Sequence, residues 1–337
     1  MRRSYLPLLL EILRRGGLAR GALLVRHLAR LATGGSAPLF ATIAVTYRCN
    51  YACGMCDLPQ RAEAELPRKD RLLAAIRDLS RRGTLAIGLT GGEPMLRNDL
   101  AEIVAAATGL GLLCHVNTNG SRLTRARCDE LLRARPCSIN VSLDGAIAAT
   151  HDRLRGVPGS FVLVLAGVEQ LLAARAAQRA RTRVRLVMAL ARANAGEVEG
   201  FAEVASTLGV DGFGFLPVHD FTGRTGQPLQ PQEVAMVAAA VARVRAGPHA
   251  HRLDNSRRYL SGMLRFLGGA AMPSRCSAPR AHVAIDPWFR AHPCVPMMSS
   301  GMPGKEPGAS IEQPPAEVCQ RCWWNCHREL DLALHNL

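Results

Sequence analysis

Lysine is almost missing from this chain. Of its 42 basic residues only Lys69 and Lys305 are lysine, the rest being arginine, against 27 aspartates and glutamates. The formal net charge of +15 thus reflects a compositional preference for arginine, and it lends a nucleic-acid role only modest weight. Long apolar runs are missing too. No uninterrupted stretch approaches the roughly 20 residues that a membrane-spanning helix needs, which excludes an integral helical membrane protein. The sequence starts MRRSYLPLLL, but Glu11, Arg14 and Arg15 break the run and no small-residue cleavage site follows, which argues against a secretory signal.

Cysteine, by contrast, is plentiful. With no export signal, 11 cysteines do not read as a disulfide framework; clustered thiols in a reducing compartment bind metal or do redox chemistry, and the cytoplasm is the expected location. At 337 residues, 48% of them apolar, the chain has the length for a large α/β domain plus a smaller appendage.

The first 35 residues carry seven arginines against the single acid Glu11. Leu9, Leu10 and Leu13, then Leu24, Leu28 and Leu31, recur at helical spacing, and Gly16 and Gly17 divide two short amphipathic helices. One reading is a helical extension packed on the main domain. The other is an arginine-rich surface helix that makes a peripheral contact with anionic lipid or docks on an acidic partner.

Strand-like runs at 39–46, 85–90, 112–118, 138–143, 184–190 and 212–217 alternate with helical patterns at 68–81, 99–108, 123–134, 162–177 and 195–208. Strands each followed by a helix imply parallel βαβ units, and a twisted open sheet competes with a partial barrel. Helices are expected to about 246 and over 253–267. From 268 onward the composition turns to Pro, Gly and Cys, as in a small lobe held by metal rather than by an apolar core. The expected organisation is basic helices over 1–35, an α/β core over 36–250 and a cysteine-rich domain over 251–337.

The strongest chemical signal is CNYACGMC after the first strand, with Cys49, Cys53 and Cys56 spaced C-x3-C-x2-C. Three thiolates on one tight loop can hold three irons of a cubane iron–sulfur cluster and leave the fourth open; a zinc site short of one ligand, or accidental cysteines, are the competing readings. The second strand runs into Thr90, Gly91, Gly92, Glu93 and Pro94, where two glycines let a ligand approach the backbone and a carboxylate can meet an ammonium group. Asn117, Thr118, Asn119 and Gly120 end the third strand, and VSLDG, with Ser142 and Asp144, ends the fourth. Polar residues thus recur at the carboxyl ends of successive parallel strands, where ligands bind in such sheets and barrels.

Over residues 41–219 these motifs, in this order, resemble the radical S-adenosylmethionine (SAM) superfamily. The resemblance implies a partial (β/α)6 TIM-like barrel. It implies that Cys49, Cys53 and Cys56 hold a 4Fe-4S cluster whose open iron is chelated by SAM, and that Gly91, Gly92 and Glu93 serve the SAM amino group. It also places Ser142 near the SAM carboxylate or ribose, and offers Arg155, in HDRLRGVPGSF, as a carboxylate partner, with Asp144 and Asn194 as further cofactor contacts. Each of Asp144, Arg155 and Asn194 also has a plain structural reading as a cap or a solvated side chain. Where the family usually has an aromatic residue before the last cysteine, against adenine, this chain has Met55.

The later cysteines are Cys276, Cys294, Cys319, Cys322 and Cys326. The stretch from Cys276 to Cys294 resembles the first half of a SPASM or twitch extension, in which a hairpin precedes a cysteine of an auxiliary 4Fe-4S cluster. Five cysteines imply one such cluster, with Cys276, Cys294, Cys319 and Cys322 as best-matching ligands and Cys326 spare or exchanging. Phe289 stands where the hairpin's glycine is expected. A zinc knuckle of Cys319, Cys322, Cys326 and His327 is the structural alternative. Trp323 and Trp324 would shield the cluster, and Cys114, Cys128 and Cys137 read as buried small residues.

The resemblance implies an enzyme that cleaves SAM reductively and abstracts hydrogen from a small-molecule or peptide substrate. An auxiliary cluster would accept or relay an electron, and a flavodoxin or ferredoxin would be the donor. With about 35 residues before the first strand, no fused leader-binding domain is expected. An RNA-modifying enzyme of the same family is the alternative, and a non-catalytic iron–sulfur or zinc protein the alternative of another class.

Overall fold

The computed structural model describes residues 6–63, 65–219, 229–273, 276–306, 312, 314–324, 328–329 and 332. Six parallel strands, β1 (Phe40–Thr46), β2 (Ala86–Gly91), β3 (Leu113–Thr118), β4 (Ser138–Ser142), β5 (Arg183–Leu190) and β6 (Gly212–Pro217), lie side by side in chain order. Each expected strand is found within a residue of its expected limits. Sequential order has a topological consequence. With right-handed crossovers, every connecting helix lands on the same side of the sheet, so the sheet curls into a partial barrel with no point at which the winding reverses. The choice that periodicity left open is made by strand order.

In chain order the helices of eight or more residues are α1 (Leu6–Ala32), α2 (Lys69–Arg81), α3 (Leu100–Gly109), α4 (Arg125–Arg133), α5 (Ala148–Arg155), α6 (Ser160–Ala177), α7 (Val198–Leu208), α8 (Pro231–Ala246) and α9 (Arg257–Leu267). Only α5 lacked an apolar pattern in the sequence, because its eight residues bury just Thr150 and His151. Helix α6 is long and apolar enough to cross a membrane, yet it is a barrel helix. Val164, Gly167, Val168, Leu171 and Ala174 line its buried face, and Gly167 lets its backbone approach Leu123 and the Gly120 carbonyl.

Both sheet edges are extended or covered, as exposed edges must be. Beside β1 lies β7 (His282–Ile285), parallel to it, and then β8 (Ala291–His292), antiparallel to β7. These two strands form the hairpin before Cys294. Phe289 takes the left-handed conformation usually left to glycine, with φ +67°. Its ring is buried under the Arg71 guanidinium, 4.4 Å away, which offsets a backbone cost of about 1 kcal/mol. At the β6 edge, Leu253 bridges Phe213, and the Asn255 amide accepts from Phe215 N (2.6 Å) and donates to Phe215 O (3.1 Å), filling the place of a further strand.

Helix α1 breaks at Gly17 (φ 65°, ψ −169°), so the two amphipathic segments meet where the sequence places the glycines. Its second half closes the amino-terminal end of the barrel, where Leu31 packs with Leu39, Leu85, Leu113 and Ala281. Arg20 pins it by donating to Thr84 O (2.7 Å), Ser80 Oγ (3.1 Å) and Leu110 O (2.5 Å).

The cysteine-rich end of the chain rests on α9. Trp323 stacks on Tyr259 with ring centres 5.9 Å apart, its indole N–H donates to Tyr259 O (3.0 Å), and a Cβ on Gly262 would collide with its ring. Gly262→Leu is expected to overpack this contact and cost about 1–3 kcal/mol. Urea unfolding followed by tryptophan fluorescence checks it, an unchanged midpoint being the contrary result.

Candidate active site

The carboxyl end of the barrel is built around direct backbone contact. Residues 47–63 run from the end of β1 and return to it through Glu63. That buried carboxylate accepts from Thr46 Oγ1 and from Tyr47 N (2.9 Å), while its own carbonyl accepts from Arg48 Nε (3.2 Å). Next to this loop lies the TGGEP turn. Gly92 N donates to Thr46 O (2.8 Å) and Glu93 N to Arg48 O (2.9 Å). Gly91 has φ +128°, a Cβ on it would strike Thr46 O, and one on Gly92 would lie 2.5 Å from Tyr47 O. Both glycines are therefore required by packing.

The third contact comes from α5. Gly156, at φ +68°, ends that helix, and a Cβ there would collide with Ala52 O, between Cys49 and Cys53. This close approach delivers Arg155 to the cysteine loop, with Nη1 3.8 Å from Cys53 Sγ. Its Nη2 meets Asp144 Oδ2 at 2.7 Å outside hydrogen-bond alignment, so the attraction there is Coulombic. Burial alone would lower the Arg155 pKa, but Asp144 and Cys53 outweigh it and the guanidinium is held charged. Burial pushes the Asp144 carboxyl up, and Arg155 opposes that shift.

One cavity of about 250 Å³ opens among these parts, lined by Cys49, Cys53, Cys56, Gly91, Gly92, Ser142, Asp144 and Arg155 of the expected site residues. Met55 lines it too. Two expected cofactor contacts lie elsewhere. The Glu93 carboxylate is fully buried and spent inside the protein, accepting from Met95 N (2.8 Å), Thr118 Oγ1 (2.7 Å) and Asn119 N (2.6 Å). It ties the TGGEP turn to the end of β3 instead of facing a ligand. Asn194 is likewise buried, its amide donating to Asp144 O (3.0 Å) and Ala189 O (2.9 Å) and accepting from Ala191 N (2.8 Å). Asn194 holds the Asp144 backbone and has no donor left to face the cavity.

Sequence reasoning passed over Tyr51 and Pro59 among the lining residues, and marked Asn119 only as a polar strand end. Asn119 Nδ2 reaches Asn50 Oδ1 (3.0 Å) and lies 3.8 Å from Cys49 Sγ. Its position in the NTNG that ends a strand was the available signal. Glu63 had none, since its partner Thr46 is 17 residues away in the chain.

The thiols need a partner to ionise. Burial raises the pKa of Cys49 and of Cys56, and the neighbouring Cys53 adds to both shifts. A metal centre reverses that preference by taking the thiolate outright. Among the described residues no three His, Cys, Asp or Glu side chains are grouped as a single metal ion requires. Three cysteines spread around one cavity suit a multi-iron cluster, whose thiolates sit on separate irons, better than one tetrahedral ion.

Residues 43–189 match the family model described as the radical SAM superfamily. The chain carries a radical SAM domain. An AdoMet-dependent heme synthase of Oleidesulfovibrio alaskensis is 38% identical over 130 residues, 38% of this chain and 33% of that protein. A PqqA peptide cyclase of Rhizobium meliloti is 30% identical over 217 residues, 62% of this chain and 56% of the relative. The matched part thus spans from a third to just over half of these relatives. In fold, the chain is similar to Streptococcus suis SuiB bound to the precursor peptide SuiA, with TM-score 0.63 at 14% identity over 90% of this chain and 68% of SuiB. The 4Fe-4S cluster and SAM are the cofactors of the radical SAM domain, and the cavity's three cysteines, glycine backbone and charged Arg155 suit them.

A second cysteine group lies in the carboxyl-terminal lobe. Burial pushes the Cys294 thiol up to about 12, with Cys322 and Cys319 adding to it, so these three are neighbours. Cys276 joins the same small apolar cluster. Cys326, with the His327 of the zinc reading, lies outside the described residues. The buried Arg328 guanidinium grips this region by donating to Cys319 O (3.2 Å), Cys322 O (3.2 Å) and Pro273 O (2.9 Å), and it lies 5.3 Å from the Trp323 ring centre. Trp323 anchors the lobe to α9 in this way, and Trp324 packs with Tyr47, Val295 and Met298.

His151 supplies a pH signature. It is fully buried, its Nδ1 accepts from Asp144 N (3.0 Å), and burial lowers its pKa to about 4. The folded protein keeps it neutral while the unfolded chain protonates near pH 6.5. Stability present above that pH is therefore lost as the pH falls toward 4, by about 2 kcal/mol between pH 7 and 5. Urea midpoints across this range should show a shallower decline in His151→Asn than in the parent protein, and equal slopes would assign the decline to other groups.

Proposed function

We propose that this chain is a radical SAM enzyme that oxidatively modifies a peptide or small-molecule substrate, with one auxiliary 4Fe-4S cluster in its carboxyl-terminal lobe. The observation that carries the reading is the convergence of Cys49, Cys53 and Cys56, the TGGEP backbone, Ser142 and the Asp144–Arg155 pair on a single cavity at the carboxyl end of a parallel barrel. A reduced 4Fe-4S cluster held there would supply the electron for reductive cleavage of SAM, the chemistry by which hydrogen would be abstracted from the substrate.

The chain's own residues would hold and orient. Cys49, Cys53 and Cys56 would ligate the cluster, and Arg155, kept charged by Asp144, would face the SAM carboxylate. The backbone at Gly91 and Gly92 would receive the amino group. Met55 offers a polarizable thioether to a purine face. Cys276, Cys294, Cys319 and Cys322 would hold the auxiliary cluster, which would accept or relay an electron. A peptide is the favoured substrate, because a relative matched over 62% of this chain is named a peptide cyclase and a fold neighbour was captured with a precursor peptide. A small acidic flavodoxin or ferredoxin suits the basic chain as electron donor, and a reducing cytoplasm suits thiolate-held clusters.

Protein reconstituted anaerobically with iron and sulfide should bind about eight irons per chain. With dithionite and SAM it should release 5′-deoxyadenosine, and its absence at full iron loading would count against catalysis. Alanine at Cys49, Cys53 and Cys56 should remove about half the iron and all SAM cleavage, whereas alanine at Cys319 and Cys322 should leave uncoupled cleavage intact. One zinc with about four irons would retire the auxiliary cluster. Arg328→Met, which loses the grip on both cysteine carbonyls, should weaken iron retention in the lobe alone, and iron analysis after gel filtration reads this directly.

A further inference from the structure

The outward face of α1 is not explained by the barrel it closes. Leu18, Ala22, Val25 and Ala29 follow one another at helical spacing on its exposed side, and Leu18 and Val25 are 87% and 66% exposed. Large apolar side chains so open to water on a helix whose other face is pinned by Arg20, His27 and Leu31 call for a reason. Arg26 and Arg30 flank the stripe on the same exposed side.

The surface around α1 has the same sign. Helix α1 lies across the amino-terminal ends of the strands, with His27 Nε2 3.0 Å from Gly83 O. Exposed Arg81 and Arg82 lie just before Gly83, Arg135 precedes β4 and Arg181 precedes β5, all at this end of the barrel. Asp78 lies 3.8 Å from Arg81 and 3.6 Å from Arg82, a partial offset. The result is a low apolar ridge within a broad rim of guanidinium groups.

We propose that this end of the molecule docks on an anionic phospholipid surface, with Leu18 and Val25 entering the headgroup boundary and the arginines meeting lipid phosphates. A ridge of exposed apolar residues amid a spread of cations suits a planar charged layer with an apolar interior, and two weak signals together give the reversible attachment that either alone would not. The orientation follows from the fold. The active-site cavity is at the opposite, carboxyl end of the strands, so a docked enzyme would turn its mouth to the aqueous side.

Sedimentation of the full chain with phosphatidylcholine vesicles, with and without phosphatidylserine, tests this. The expected result is binding only to the anionic vesicles, weakening as salt rises. Leu18→Glu with Val25→Glu should abolish it with circular dichroism and iron content unchanged, and Arg26→Glu with Arg30→Glu should weaken it at least about tenfold. Because both apolar residues are exposed, the substitutions remove no packing in the barrel. Equal binding to neutral vesicles, no binding to either kind, or undiminished binding by the Leu18 and Val25 variant would overturn the proposal. So would retention on polyglutamate without retention on vesicles, which would assign the face to an acidic partner.

Discussion

Everything at the carboxyl end of the barrel depends on the cysteine loop lying in backbone contact with three glycines. Gly91 and Gly92 lie against Thr46, Tyr47 and Arg48, and Gly156 lies against Ala52. In each case the neighbour is a main-chain carbonyl, which cannot swing aside as a side chain would. A methyl group at any of these positions would have to move the loop itself, and with it the three thiols. The loop's hydrogen bonds to Glu63 fix its other border, so its position is set from both sides by groups with little freedom.

This constraint also orders the electrostatics. Once Gly156 sits on Ala52, Arg155 has one accessible direction, toward Cys53 and Asp144. Asp144 is in turn held by Ala189 N (2.9 Å) at Oδ1, and by Asn194 through its backbone carbonyl. A buried cation is thus fixed beside the cysteine thiols before any ligand arrives, and its charge is partly matched by a carboxylate that is itself too well held to move. A preorganised cation of this kind costs little reorganisation when an anionic group enters, which is the general advantage of building such a site from rigid strand ends.

The sequence displayed those parts of this arrangement that are local. Strand limits were readable to within a residue because apolar runs bounded by turn residues are a short-range signal, and the cysteine, TGGEP and VSLDG motifs follow directly on strands. What it hid was long-range. Nothing local distinguishes Glu93 facing a ligand from Glu93 accepting three protein donors, because two of those donors come from the end of β3, more than 20 residues on. The Asn194 contact to Asp144 O is hidden for the same reason, since 50 residues of chain separate the two. Helix α5 escaped notice because it buries almost nothing apolar, although it carries Arg155, the one cation that lines the cavity among the described residues.

The lobe shows how far a local rule can be bent when packing supports it. A phenylalanine in the left-handed region is an unfavourable choice at the tip of a hairpin, a turn where a glycine is expected. Phe289 nonetheless makes it, because the ring is buried and capped by Arg71 from α2. A glycine would remove the backbone cost but also this tether between hairpin and barrel. The exchange favours position over local comfort: β7 stays aligned with β1 from Phe40 to Ile43, so Cys294, just past the hairpin, is held in register with the strand that leads to Cys49. The two cysteine groups are thereby placed relative to each other by one continuous sheet.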